Sequence, residues 1–187
     1  DAFNVTEDAD LGLRLARFGW HVGVLDSTTY EEAPAEWRVW RGQRTRWLKG
    51  WMQTYLVHMR GPLALWNALG PRRFFGLQLL MGALLMAALV HPLFFLVAVP
   101  QLATRWLASA GLSPAEMTLW AIVGFNLVAG YIAAIALGLR AVALRHAGLE
   151  RSCLWIPLYW LAISLAAYRA LLQLVRAPHL WEKTQHR

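Results

Sequence analysis

The sequence holds a single cysteine, Cys153, so no disulfide forms within the chain. That excludes a small fold stapled by disulfides and fits a reducing compartment. Its histidines, His21, His58, His91, His146, His179 and His186, nowhere approach a spacing such as HExxH, so the zinc-hydrolase pattern is missing. Between Trp37 and Arg60 there is no acidic residue, and between Phe74 and Thr104 there is no Asp, Glu, Lys or Arg. Charged residues make up only 16% of the chain against 58% hydrophobic. This excludes an ordinary soluble domain and points to a membrane protein. There is no signal-peptide pattern at "DAFNV", and the chain reads as a segment of a longer protein.

The charge that is present is polarised. Residues 1–36 carry eight acids against Arg14 and Arg17, whereas residues 37–60 carry six basic residues. The net charge of +7 arises from basic residues at the ends of apolar runs. It is therefore a membrane signature, and no nucleic-acid partner is expected.

"VTEDADLGLRLARFGW" reads as a helix. Thr6 can cap it, Glu7 and Asp8 sit in the first turn, where the helix dipole favours negative charge, and Gly19 ends it. Leu11, Leu15 and Phe18 share one face, widened by Leu13 and Ala16. The run from His21 to Glu32 is strand-like with turn residues after it. Together these suggest the tail of an α/β domain over residues 1–34. Pro34 then opens a long helical region within 35–70. Here Trp37, Trp40, Trp47, Trp51 and Tyr55 fall on one side, and Arg38, Arg46, Lys49 and Arg60 fall roughly opposite. Such a helix suits the headgroup plane of a membrane.

Residues 71–176 form the membrane region. The uncharged run from Phe74 to Thr104 would make a helix of about 46 Å, well over a hydrocarbon core of about 30 Å. Pro92 lacks a backbone donor. We therefore expect two spans, about 73–90 and 93–107, joined at His91–Pro92, with one long kinked span as the alternative. Further spans are expected at about 117–139 and 154–175, followed by a polar tail over 177–187. Four spans place the C-terminus on the side of residues 1–60. His91 and Asn126, polar residues within apolar runs, fit satisfaction of local backbone better than a transport pathway.

Two clusters carry chemistry. Thr6, Glu7 and Asp8 read locally as a helix cap, but a carboxylate at a helix end can also take a proton from a hydroxyl. "RGQRTRWLKGW" carries Arg41, Arg44, Arg46 and Lys49 with Trp47 and Trp51 and no acid. An interfacial anchor explains Trp37, Trp40, Trp51, Arg38 and Lys49. It explains Gln43, Arg44, Arg46 and Trp47 less well. Gln43 and Trp47 are i and i+4 with Arg46 beside them, and guanidinium suits phosphate.

"TED" followed by "QRTRW" and then by membrane helices resembles the processive glycosyltransferases of family 2. These include the bacterial cellulose synthase catalytic subunit and related exopolysaccharide, chitin and hyaluronan synthases, whose signature is D, DxD, TED, QxxRW in that order. The ending "PHLWEKTQHR" is similar to the C-terminus of bacterial cellulose-synthase-like proteins. The resemblance covers most of the chain. It implies Asp8 as general base, with Thr6 and Glu7 shaping the acceptor end of the cleft. It implies Arg46, with Gln43 and Arg44, on the diphosphate of a nucleotide sugar, and Trp47 stacked on the terminal sugar of the acceptor. "DAD" at 8–10 fits DxD only on paper, because it overlaps TED in a helix start. The base-binding Asp and the DxD ligands of Mg²⁺ or Mn²⁺ would lie upstream, with no metal ligand in this chain.

The expected architecture is thus mostly α: the C-terminal remnant of a GT-A type α/β catalytic domain, an amphipathic interfacial helix, and a transmembrane helix bundle. The resemblance places it in the inner (plasma) membrane with the catalytic portion cytoplasmic. Its partners would be a nucleotide diphosphate sugar, a growing polysaccharide or lipid acceptor, the bilayer, and the N-terminal part of the same protein. The isolated chain is expected to be inactive. The rival readings are a non-processive transferase acting on a lipid carrier and a non-catalytic membrane scaffold or transporter segment.

Overall fold

The computed structural model describes residues 6–29, 31, 33–108, 111–145 and 148–180. They form α1 (Glu7–Arg17), α2 (Trp37–His58), α3 (Pro62–Leu77), a π-helical turn (Gln78–Ala83), α4 (Leu84–Leu107), α5 (Pro114–Arg145), a 3-10 turn (Glu150–Trp155) and α6 (Ile156–Arg176). The chain is mostly α, and no strand occurs among the described residues. This corrects the strand expected within 21–32. A strand needs a neighbour for its N–H and C=O groups, and His21–Thr29 have none there; Val22, Val24 and Leu25 stay exposed. Tyr30, Glu32 and the polar tail beyond Leu180 lie outside the described residues.

The chain divides into two compact units, Asp1–Leu89 with Ile163–Arg187, and Val90–Ala162. In the first unit, α1 closes as its sequence implies. Gly19 adopts φ 82°, which an L side chain rarely tolerates. Its N–H reaches the Ala16 carbonyl, and that of Trp20 reaches the Leu15 carbonyl, a Schellman closure. The buried face of α1 differs from the expected one. Leu13 and Ala16 pack with Leu65, Leu69 and Leu77, whereas Leu11 and Phe18 are exposed. Thr6 occupies the cap position but makes no capping bond through its side chain.

Helix α2 is held by a small-residue stripe. Leu48 and Met52 pack with Leu85, Ala88, Ala166, Ala167 and Ala170, and alanines let backbones approach closely. Lys49 departs from its expected interfacial role. It is 1% exposed, and its ammonium donates to the carbonyls of Ala177 (2.9 Å) and Leu180 (2.8 Å). These carbonyls follow the end of α6, where backbone acceptors lack helical partners and a cation is favoured. Gln53 adds a bond from Nε2 to the Pro178 carbonyl at 3.1 Å.

Gly70 (φ 71°, ψ 168°) and Pro71 kink α3 into two pieces. The π-helical turn then carries Gly82 under the ring of Tyr55; a Cβ there would lie 3.0 Å from the Tyr55 hydroxyl. That hydroxyl donates to Gln78 Oε1 at 2.6 Å, tying α2 to the turn.

The expected interruption at His91–Pro92 is absent from the backbone, because α4 runs through both Pro92 and Pro100. Pro92 deprives only the Ala88 carbonyl of its usual donor, and the Tyr168 hydroxyl donates to the adjacent Leu89 carbonyl. That bond braces the turn before the proline against α6, and α4 absorbs the one lost backbone bond without a break. Among the described residues, three helical runs are long and apolar enough to cross a membrane: Pro62–Leu107, Pro114–Ala143 and Glu150–Arg176.

In the second unit, Ser113, Pro114 and Glu116 start α5 with a reciprocal cap. The Ser113 N–H donates to Glu116 Oε2 at 2.9 Å, and the Glu116 N–H points back to Ser113 Oγ at 3.4 Å. Arg105 pairs with Glu116. His91 Nε2 lies 2.6 Å from the Tyr131 hydroxyl, with Trp160 edge-on to the His91 ring. His91 thus takes a side-chain partner on another helix, and its Nδ1 is buried with no hydrogen-bond partner among the described residues.

Candidate functional site

Thr6 is the hinge of the site. It is 6% exposed because it sits against Gly50 of α2. A Cβ built on Gly50 would fall 2.5 Å from both Thr6 Cγ2 and Oγ1, so only glycine permits this contact. Trp47 lies three residues, nearly one helical turn, before Gly50. The start of α1 is therefore brought to the part of α2 that carries Gln43–Trp47.

At this start, Glu7 and Asp8 are both exposed. Asp8 Oδ1 accepts from the N–H of Ala9 at 2.8 Å, one of the free donors of the first turn. Asp8 thus combines accessibility with the positive end of a helix. Asp10, two residues on, is the opposite case. It is 4% exposed, with Oδ1 2.8 Å from His58 Nε2 and Oδ2 2.8 Å from Arg14 Nε. Burial pushes its carboxyl up, but the hydrogen bonds from Arg14 and His58 and the Arg14 charge outweigh burial and hold it below the usual carboxylate range. With both oxygens engaged, Asp10 does not offer itself to a ligand.

On α2 the four residues of the second cluster diverge. Gln43, Arg44 and Arg46 are half-buried and Trp47 is 39% exposed. Arg44 lays its guanidinium 4.3 Å from the Trp47 ring centroid and 6.0 Å from that of Trp40. This arrangement suits a cation over an aromatic face. Trp40 in turn stacks on Trp37 at 4.9 Å. Several polar atoms of this stretch are buried with no hydrogen-bond partner among the described residues: Arg41 Nε, Gln43 Oε1, Arg44 Nε and Thr45 Oγ1. Buried polar atoms are nearly always satisfied, so this stretch of α2 keeps hydrogen-bonding capacity that the described residues do not meet. Among the described residues, no three His, Cys, Asp or Glu side chains converge to hold a metal. The described residues of the site do not fit Mg²⁺ or Mn²⁺.

Sequence reasoning missed Asp10, His58, Gly50, Arg41 and Thr45. The i, i+3 spacing of Arg44 and Trp47 held the signal for their stacking. Nothing local signalled the pairing of Asp10 with His58, which lies 48 residues away.

No solved structure matches the chain. A curated relative, the probable glycosyltransferase YdaM of Bacillus subtilis (strain 168), is 38% identical over 47 residues, covering 25% of this chain and 11% of the relative. The chain thus spans only a small part of the relative's length. Residues 1–133 match the family described as glycosyl transferase family group 2. That stretch includes α1 and α2, and the chain belongs to this family.

Proposed function

We propose that this chain is the C-terminal part of a membrane-bound inverting glycosyltransferase that moves a sugar from a nucleotide diphosphate sugar onto a growing polysaccharide. The observation that carries the reading is the Thr6–Gly50 contact, which sets the acidic start of α1 beside the Gln43–Trp47 segment. Asp8 accepts the proton of the acceptor hydroxyl, and the oxygen attacks the anomeric carbon of the donor. The bond from that carbon to the diphosphate oxygen breaks, and the nucleoside diphosphate leaves with the bonding electrons. One displacement inverts the anomeric centre. Arg46, with Gln43 and Arg44, holds the diphosphate as charge builds on it. A planar guanidinium matches phosphate oxygens, and donors fixed in advance stabilise that charge. Thr6 and Glu7 shape the acceptor end. Trp47 keeps exposed ring surface for the apolar face of the terminal sugar.

A divalent ion in the intact enzyme would neutralise diphosphate charge; its ligands are assigned upstream of this chain, and no step here runs through it. The nucleotide-binding part is assigned there too, and we place the protein in the inner membrane as a multi-pass protein with its catalytic side cytoplasmic. The test is Trp47→Ala in the intact protein, with membrane insertion and sugar transfer measured separately. Normal insertion with transfer strongly reduced is expected. Lost insertion, or unchanged transfer, leaves the 41–51 segment as an anchor only. Product length from the unaltered enzyme separates polymer growth from a single transfer to a lipid carrier.

A further inference from the structure

The Asp10–His58 network is built more elaborately than adhesion requires. His58 is 4% exposed and lies at the far end of α2 from Trp37. Its Nε2 meets Asp10 Oδ1 at 2.8 Å and its Nδ1 meets Arg17 Nη1 at 3.2 Å. Guanidinium only donates, so Nδ1 is the acceptor and Nε2–H donates to Asp10. One tautomer is thereby selected. Arg14 closes the other carboxylate oxygen at 2.8 Å. Arg73 of α3 donates to the Ala16 carbonyl at 3.1 Å and approaches His21 Nε2 at 2.9 Å, holding the other end of α1.

Simple adhesion between α1 and α2 would be served as well by apolar side chains of similar volume, since buried ionic groups seldom add net stability over them. What directional bonds supply and apolar contacts do not is a fixed rotation and register of one helix on the other. Asp8 lies two residues before Asp10, roughly 200° around the helix. It also lies between two fixed points, Thr6 on Gly50 and Asp10 on His58. Any roll of α1 about its axis swings Asp8 directly.

We infer that Asp10 and His58 are positioning residues, which lock the rotation of α1 on α2 and so aim the Asp8 carboxylate at the acceptor hydroxyl. This rests on the reading of Asp8 as the base. It assigns the pair a role in turnover and none in donor binding.

The test uses the intact enzyme in detergent, with rates expressed per monodisperse, folded molecule. His58→Leu keeps bulk but removes the donor to Asp10. It is expected to lower kcat about tenfold or more, the scale of effect that slight misplacement of a catalytic group produces, with KM for the donor sugar nucleotide unchanged. His58→Gln, which keeps an N–H donor, is expected to recover most of that loss. Asp10→Asn, nearly isosteric, supplies the same readout if His58→Leu does not fold, with an expected several-fold fall in kcat alone. Asp8→Asn is the control. Loss of transfer in Asp8→Asn together with wild-type kcat in His58→Leu or Asp10→Asn overturns the positioning role and leaves the base intact. Full activity in Asp8→Asn overturns the base assignment and the positioning role with it. A fall in donor affinity at constant kcat also overturns the inference.

Discussion

Replacing Gly50 by alanine probes the joint on which the candidate site depends. In an exposed helix interior, Gly→Ala stabilises by about 0.5–1 kcal/mol, because glycine loses more backbone freedom on folding. At Gly50 the new methyl would fall 2.5 Å from Thr6 Cγ2 and Oγ1 and 2.9 Å from its Cβ. Thr6 is nearly fully buried, so it has little room to yield. Overpacking of this kind costs about 1–3 kcal/mol. The net effect is a loosening of α1 from α2 by up to about 2 kcal/mol, and a loss of 1.4 kcal/mol corresponds to about tenfold in the opening equilibrium. Amide hydrogen exchange of α1 in the intact, detergent-solubilised protein reads this directly. Exchange in α1 should accelerate while α5 is unchanged. In a Thr6→Ala background the two atoms at 2.5 Å are gone, and the same Gly50→Ala change should cost far less. The two substitutions are therefore coupled in a double-mutant cycle. Slower exchange of α1 in Gly50→Ala alone, the behaviour of an unconstrained helical glycine, would refute the joint.

Lys49→Met should strip the Ala177 and Leu180 carbonyls of their shared donor, at about 1 kcal/mol for each hydrogen bond lost, because these residues keep some contact with water. Limited proteolysis should then cut near residues 177–180 faster, and an unchanged rate would show that the ammonium does not hold this segment. Asp10 carries a carboxyl held below its ordinary value of 3.8. Its bonds to Arg14 and His58 therefore contribute stability that is present above that value and lost as pH falls through the lower folded one. Amide exchange in α1, corrected for the intrinsic pH dependence of exchange and followed as pH is lowered from about 5, checks the sign: protection should differ between the ends of the titration, falling as the carboxyl is protonated. Asp10→Asn should abolish much of that difference.

Helix identity was legible because the cues were local. Thr6, the acids after it and Gly19 bounded α1 correctly, and the helical period placed α2. The long apolar runs marked helices long and apolar enough to cross a membrane, but among the described residues there are three such runs where four were expected. Where the outcome depended on distant partners, the sequence was silent. Lys49 reads as one more cation of an interfacial helix until the segment after α6 accepts its hydrogen bonds. Pro92 reads as a break, but α4 runs on through it with the loss of a single backbone bond. The expected strand over 21–32 has the right residue types and no neighbour to pair with among the described residues. Of the expected face of α1, Leu13 and Ala16 pack and Leu11 and Phe18 do not, because both sets satisfy a helical period. Only the position of α3 selects Leu13 and Ala16. The TED and QxxRW segments were visible as patterns, but their approach rests on Gly50, whose lack of a side chain carries no motif.

The central claim is that the acidic start of α1 performs proton abstraction at a sugar-transfer site. Its most direct measurement is the rate of sugar transfer by the intact enzyme carrying Asp8→Asn, at saturating donor and acceptor, beside donor binding by the same variant. Donor affinity close to that of the unaltered enzyme is expected, with a transfer rate lower by about 10²–10⁴-fold, the usual contribution of a positioned base. Transfer at the unaltered rate, with donor bound normally, contradicts the claim.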